Sequence, residues 1–141
     1  MRRILEALPD WFGDADAIVN YEQAAGEASY ESYLATEADS VVGVALVRRH
    51  FPESAELHLI AVAPESRGNG VGRALVERIA SDSADNGCRM LSVHTVGPSF
   101  ENAPYAATRA FYRQAGLFAV EEHHGLDWPG PTLILVRPLE R

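Results

Sequence analysis

A mixed α+β domain built around one central sheet is the fold this sequence predicts. Strand-like runs come first as a consecutive group, strand and helix signals then alternate, and 141 residues suit one domain with one hydrophobic core. No internal repeat and no long Pro/Gly/Ser linker divides the chain, so residues 1–141 are expected to form a single domain.

The elements follow in order. Pro9-Asp10-Trp11-Phe12-Gly13-Asp14 reads as a turn into a helix over residues 15–25, where Ile18, Tyr21 and Ala25 recur at helical spacing. Residues 29–36 alternate tyrosines and Leu34 with polar side chains, the pattern of an exposed strand. A polar turn over residues 37–40 leads to Val41-Val42-Gly43-Val44-Ala45-Leu46-Val47, apolar enough for a strand buried on both faces. After Phe51-Pro52-Glu53-Ser54, the run Glu56-Leu57-His58-Leu59-Ile60-Ala61-Val62 is another strand, ended by Pro64. Val71, Leu75, Val76 and Ile79 mark a helix over residues 70–83, with Gly87 as its stop signal. A strand over 89–96, a breaker-rich loop over 98–104, a helix over 106–115 closed by Gly116, and strands over 117–122 and 132–136 complete the chain.

Composition excludes several functions. An apolar share of 47% with 23% charged residues is ordinary for a globular protein, and no apolar run approaches the roughly 20 residues of a membrane span. The basic start Arg2-Arg3 is interrupted by Glu6, Pro9 and Asp10 before a signal-peptide core forms, so a cytoplasmic location is expected. A net charge of −8 argues against nucleic acid as a ligand and tilts the choice of small partner toward cations such as amines. Cys88 is the only cysteine, which excludes an intrachain disulfide and leaves a buried thiol as the expectation. Glu121-Glu122-His123-His124 does not read as a metal site, because adjacent strand residues point to opposite faces. No metal is expected.

The most informative segment is Arg67-Gly68-Asn69-Gly70-Val71-Gly72, followed by Arg73. A strand stops at Pro64, and three alternating glycines lead into a helix. Glycine lets the backbone come close to a ligand, and a helix N-terminus offers unpaired N–H groups and the positive end of the macrodipole. Arg67 and Arg73 add charge-assisted donors, so the segment suits a pyrophosphate. It has no GK[ST] ending and its spacing is not GxGxxG, which sets it apart from P-loop and Rossmann phosphate sites.

Arg67-Gly68-Asn69-Gly70-Val71-Gly72 matches the R/Q-x-x-G-x-G/A signature of the GNAT superfamily of N-acetyltransferases, and Leu59-Ile60-Ala61-Val62-Ala63-Pro64 resembles that family's fourth strand. Downstream, Thr108-Arg109-Ala110-Phe111-Tyr112-Arg113-Gln114-Ala115-Gly116-Leu117 is similar to its second motif, a Phe-Tyr pair on a helix ahead of a Gly-Phe. The resemblance spans roughly residues 41–136. Tyr105 and Thr108 stand where the family often carries Asn and Ala. The resemblance implies a GNAT-like splayed mixed sheet flanked by helices, with acetyl-CoA as co-substrate in a central cleft. Pantetheine would pair with the strand near Ile60, Ala61 and Val62. Pyrophosphate would sit on the amides of Gly68, Asn69, Gly70, Val71, Gly72 and Arg73, beside Arg67. An acetyl or other short acyl group would pass directly to a primary amine, either a small molecule or a peptide. A homodimer is allowed, and a non-catalytic acyl-CoA-binding regulatory module on the same fold is the alternative.

Such a transfer needs a base for the amine and a proton source for the leaving thiolate. Tyr112 occupies the family's tyrosine position and is the candidate acid, since a phenol of reference pKa about 10 is protonated near neutrality. Glu56, eleven residues before Arg67, is the leading candidate base. Alternation is expected to put Glu56, His58, Ile60 and Val62 on one strand face, and burial is expected to raise the Glu56 pKa. His58 is the rival base and His94 a third choice. The loop from Val96 to Tyr105 is expected to cover the acceptor site, with Trp11, Phe12, Tyr30, His50 and Phe51 as candidates for the opposite wall.

Overall fold

The computed structural model describes residues 1–12, 15–26 and 29–140; of Asp10, Phe12 and Ala15 it describes the backbone alone. The chain runs α1 (Arg2–Glu6), α2 (Pro9–Phe12), α3 (Ala15–Ala25), β1 (Tyr30–Glu37), β2 (Ser40–Phe51), β3 (Ser54–Val62), a 3₁₀ turn (Pro64–Ser66), α4 (Val71–Asp85), β4 (Met90–Val96), α5 (Ala103–Gln114), β5 (Phe118–His124) and β6 (Pro131–Pro138). The expected class holds: a mixed α/β fold on one open six-stranded sheet in the order β1-β2-β3-β4-β6-β5. Every pairing is antiparallel except β3 with β4. Among the described residues no helix is long and apolar enough to cross a membrane.

Each face of the sheet carries its own layer. On one face, Val76 and Ile79 of α4 and Tyr112 and Ala115 of the α5 end pack on Ala45, Val47, Leu57, Leu91 and Val93. On the other, Ile4, Leu5, Leu8 and Ile18 pack on Val44, Leu46, Leu59 and Ala61. That second cluster contains residues of β2 and β3 and none of β4 to β6, so one face of β4 lies outside it. β2 buries six consecutive residues, Val42 to Val47, because both layers cover it, which is why it reads as a continuous apolar run.

Several elements extend past their sequence signals. β2 and β3 form a hairpin paired out to Phe51 and Ser54, so backbone pairing carries polar residues that no apolar pattern marks. α1 is too short to show a period, yet it buries Ile4 and Leu5. α5 starts at Ala103 rather than Ala106: the Asn102 side chain accepts the Tyr105 N–H at 3.2 Å as an N-cap, and Pro104 suits the first turn.

Two features of β3 set up the site. β3 pairs with β4 only from Ser54↔Met90 to Leu57↔Val93, and beyond that point the two parallel strands separate. The backbone of β3 from Leu59 to Val62 therefore keeps its β2 partner but has an open edge toward β4. The second feature is a bulge. Leu46 faces Leu59 and Val47 faces Leu57, which leaves His58 as the extra residue. Ala55 and Leu57 accordingly pack on the α4 side, whereas Leu59 and Ala61 pack on the α1–α3 side. Ile60 and Val62 return to the α4 side, against Val71 and Leu75. The single face expected for Glu56, His58, Ile60 and Val62 is thus broken in two at His58.

Candidate active site

The separated strands open a cleft of about 1370 Å³ between the two layers. Its walls include Glu56, His58 and residues 59–62 of β3, His94, Thr95 and Val96 of β4, the start of α4, and Tyr105, Thr108, Phe111 and Tyr112 of α5. The residues read from sequence as cofactor-binding and catalytic therefore meet in one cavity, Asn69 excepted, which lies in the loop beside it.

At one end is the glycine loop. Gly68 and Gly70 adopt φ of +82° and +78°, a left-handed backbone that side chains with a Cβ resist. Gly70 is the N-cap of α4 and supplies no side-chain cap. Among the described residues, the amides from Gly68 to Arg73 find no backbone acceptor. These are the orphan donors a helix start presents, and they suit an anion. Gly72 serves close packing: a Cβ there would lie 3.1 Å from the Phe111 ring. Arg67 has no carboxylate partner among the described residues and stacks on the Trp11 ring at 4.4 Å. Arg73 approaches Glu77 at 3.7 Å, while Glu77 is bound more closely by Arg137 at 2.9 Å.

Trp11 explains the two departures from the family pattern on α5. Its indole N–H donates to the Thr108 hydroxyl at 3.0 Å, and the Tyr105 hydroxyl donates to the Trp11 carbonyl at 3.3 Å. Tyr105 and Thr108 thus tie α2 to α5 across the cleft.

The other end holds titratable and aromatic groups. Glu56 is hydrogen-bonded to the His50 ring and lies 3.9 Å from His58 Nδ1. Burial pushes its carboxyl up, but the His50 hydrogen bond and the nearby His58 and His94 outweigh it and bring the pKa down to about 2. The raised value expected from burial alone is therefore corrected: the histidines were not counted. The His58 ring sits edge-on to Tyr21 and Tyr30, with centroids 5.6 and 5.1 Å away. His94 Nδ1 is 2.8 Å from an Asp127 carboxylate oxygen. Tyr112 is buried; burial pushes its phenol above the ordinary range, with the neighbouring Tyr21 and Tyr105 adding to the shift.

Of the wall residues named from sequence, Trp11 lines the cleft, and Tyr30, His50 and Phe51 do not. Phe51 lies at the far end of the β2–β3 hairpin and is 65% exposed. The Phe12 side chain is outside the described residues. The sequence reading missed Leu126, Asp127 and Trp128 from the β5–β6 connection, which line the same cleft. The buried Thr132 hydroxyl, in the same cleft, has no hydrogen-bond partner. Cys88 is buried as expected, accepts a hydrogen bond from Arg49 at 3.1 Å, and does not line the cleft. The Glu121 to His124 run lies on β5, where His123 pairs with Glu121 at 3.0 Å.

A parallel strand pair that splays open beside a helix start with open amides defines a class of fold, and comparison with known proteins identifies it. The acetyltransferase (GNAT) family model matches residues 1–117, and the chain belongs to that family. A GNAT-family acetyltransferase from Desulfovibrio desulfuricans superposes with a TM-score of 0.82 at 29% identity, covering 97% of this chain and 88% of that one. A GNAT acetyltransferase from Elizabethkingia anophelis, solved with acetyl-CoA bound, gives 0.75 at 18% identity over 95% and 89% of the two chains. An aminoglycoside 6'-N-acetyltransferase solved with coenzyme A gives 0.73 at 16% identity over 96% and 88%. No curated protein matches the chain in sequence.

Proposed function

We propose that residues 1–141 act as one cytoplasmic domain that transfers an acetyl group from acetyl-CoA directly to a primary amine. The observation that carries this proposal is the polarity of one continuous cleft. Open amides and two arginines lie at one end, an unpaired strand edge runs through the middle, and Tyr112, His58 and Glu56 stand at the other. Pyrophosphate would take the amides from Gly68 to Arg73 with Arg67. For that, Arg67 would leave or share its stack on Trp11. Pantetheine amides would add as a short strand to the edge at Ile60, Ala61 and Val62, and an amide near Val62 would polarise the thioester carbonyl.

The chemistry assigns a role to each group. A carboxyl held at about 2 is a weak base, so His58 takes the first ammonium proton and Glu56 positions and charges it. The amine nitrogen then attacks the thioester carbon, and the C–S bond breaks as the tetrahedral intermediate collapses. Tyr112 gives its proton to the departing sulfur and recovers one from the nitrogen, so CoA leaves as the thiol. The raised phenol pKa favours such a relay over net proton release. No covalent enzyme intermediate is needed, and Cys88 lies outside the cleft. Tyr112→Phe is expected to lower kcat by about 100-fold, measured as CoA thiol release, while acetyl-CoA still raises the melting temperature. Unchanged turnover would remove Tyr112 from the mechanism.

A further inference from the structure

The acceptor end of the cleft is built from chain segments that the β4–β6 pairing brings together. Val96 pairs with Thr132, and the Gly97 N–H donates to the Pro131 carbonyl at 2.9 Å, which brings the loop after β4 beside the β5–β6 connection. The Ser99 hydroxyl bonds Glu122 of β5 and fastens the same loop from the other side. Phe100 and Trp128 are thereby set side by side, with ring centroids 5.6 Å apart and planes inclined at 57°. The Trp128 indole N–H is spent on the Pro131 carbonyl at 2.9 Å. Gly130 is required there, because a Cβ would come within 2.3 Å of the indole. The two rings form a preset wall and remain over a third exposed, with Leu126 beside them.

Charge at this end is sparse. Among the described residues lining the cleft, the only carboxylates are Glu56 and Asp127, each engaged by a histidine. Glu56 pairs with Ser92 of β4, and His94, two positions further along that strand, holds Asp127, so both carboxylates flank the same stretch of β4. Two engaged carboxylates match one ammonium and are too few for a polycation. A peptide terminus would bring amide groups that need polar partners, and this wall offers rings whose one N–H donor is already used.

Building on the acetyl transfer proposed above, we propose that the acceptor is a small arylalkylamine. Its aromatic ring packs against Phe100 and Trp128, and its single amine is drawn to Asp127 and Glu56. Edge and stacked ring contacts supply the discrimination, and the one positive charge fixes which end points toward the thioester.

The test is CoA thiol release from acetyl-CoA with 2-phenylethylamine, tyramine, propylamine, spermidine, kanamycin and an alanine tripeptide. The arylalkylamines are expected to exceed propylamine by about tenfold or more in kcat/KM. Trp128→Ala and Phe100→Ala should erase that preference through KM, and Trp128→Phe should restore most of it, which separates lost stacking from lost folding. Highest kcat/KM with spermidine, kanamycin or the tripeptide, or a preference unchanged in Trp128→Ala, would overturn the aryl-amine assignment and leave acetyl transfer standing. Release with none of the amines, while acetyl-CoA still stabilises the protein, would overturn acetyl transfer itself.

Discussion

Burial raises a carboxyl's pKa, yet Glu56 is held at about 2, because His50 hydrogen-bonds it and His58 and His94 lie nearby. The carboxyl is therefore ionised throughout any working range, and an inflection in the pH–rate profile belongs to another group. A consequence for stability follows from the sign of the shift. A folded pKa below the ordinary 4.5 means the ionised form is favoured in the folded state. Its contribution is complete above about pH 4.5 and is lost as pH falls toward 2. Glu56→Gln should therefore be less stable than the parent above that window, with the gap narrowing as the solution is acidified. Urea midpoints of both proteins at several pH values would check this; a gap that stays constant down the series would show that Glu56 stabilises by packing alone. At the phosphate end, Gly68, Gly70 and Arg67 lie in one contiguous motif, so sequence alone reveals them. Phe100 and Asp127 are 27 positions apart and meet through sheet pairing, which local pattern does not encode.

The separation of β3 from β4 creates the cleft, and the first turn of α4 lines it with open amides. How α4 seats on the sheet is decided at Gly43 of β2. A Cβ at Gly43 would stand 2.9 Å from Val71 Cγ1 and 3.1 Å from Leu75 Cδ1, so β2 and the first turn of α4 touch because that side chain is absent. Gly43→Ala should cost about 1–3 kcal/mol in urea unfolding by overpacking. Since Val71 follows Gly70 directly, it should also reduce the melting-temperature rise that CoA produces; an unchanged rise would mean the cradle is independent of the α4 seat. The element order and most helices were legible from apolar periodicity. The bulge at His58 was not. Leu57, Leu59 and Ala61 are all apolar, and both faces of β3 are covered, so a change of face leaves no break in the pattern.

Over the whole molecule, a net charge of −8 coexists with a cleft lined by Arg67 and Arg73 at the glycine loop and by Glu56 and Asp127 beside β4. Under the proposed function, that arrangement would order an anionic donor and a cationic acceptor along one axis and so lower the entropic barrier to their reaction. The motifs that carry the family resemblance end at Leu117, and the family model stops at residue 117, just before β5. The cleft wall at Asp127 and Trp128 lies beyond it, so under the proposed function donor chemistry is legible from family patterns and acceptor choice is read from the fold. All 12 basic side chains counted as Lys or Arg are arginines, so this chain has no lysine to take up acetyl groups and confuse an assay. The most direct measurement is mass spectrometry of a primary amine incubated with acetyl-CoA and the protein. One acetyl group added to the amine, matched by an equal amount of free CoA thiol, is expected. Protein that binds acetyl-CoA but yields no acetylated amine of any class would contradict an acetyltransferase and make the chain an acyl-CoA-binding module.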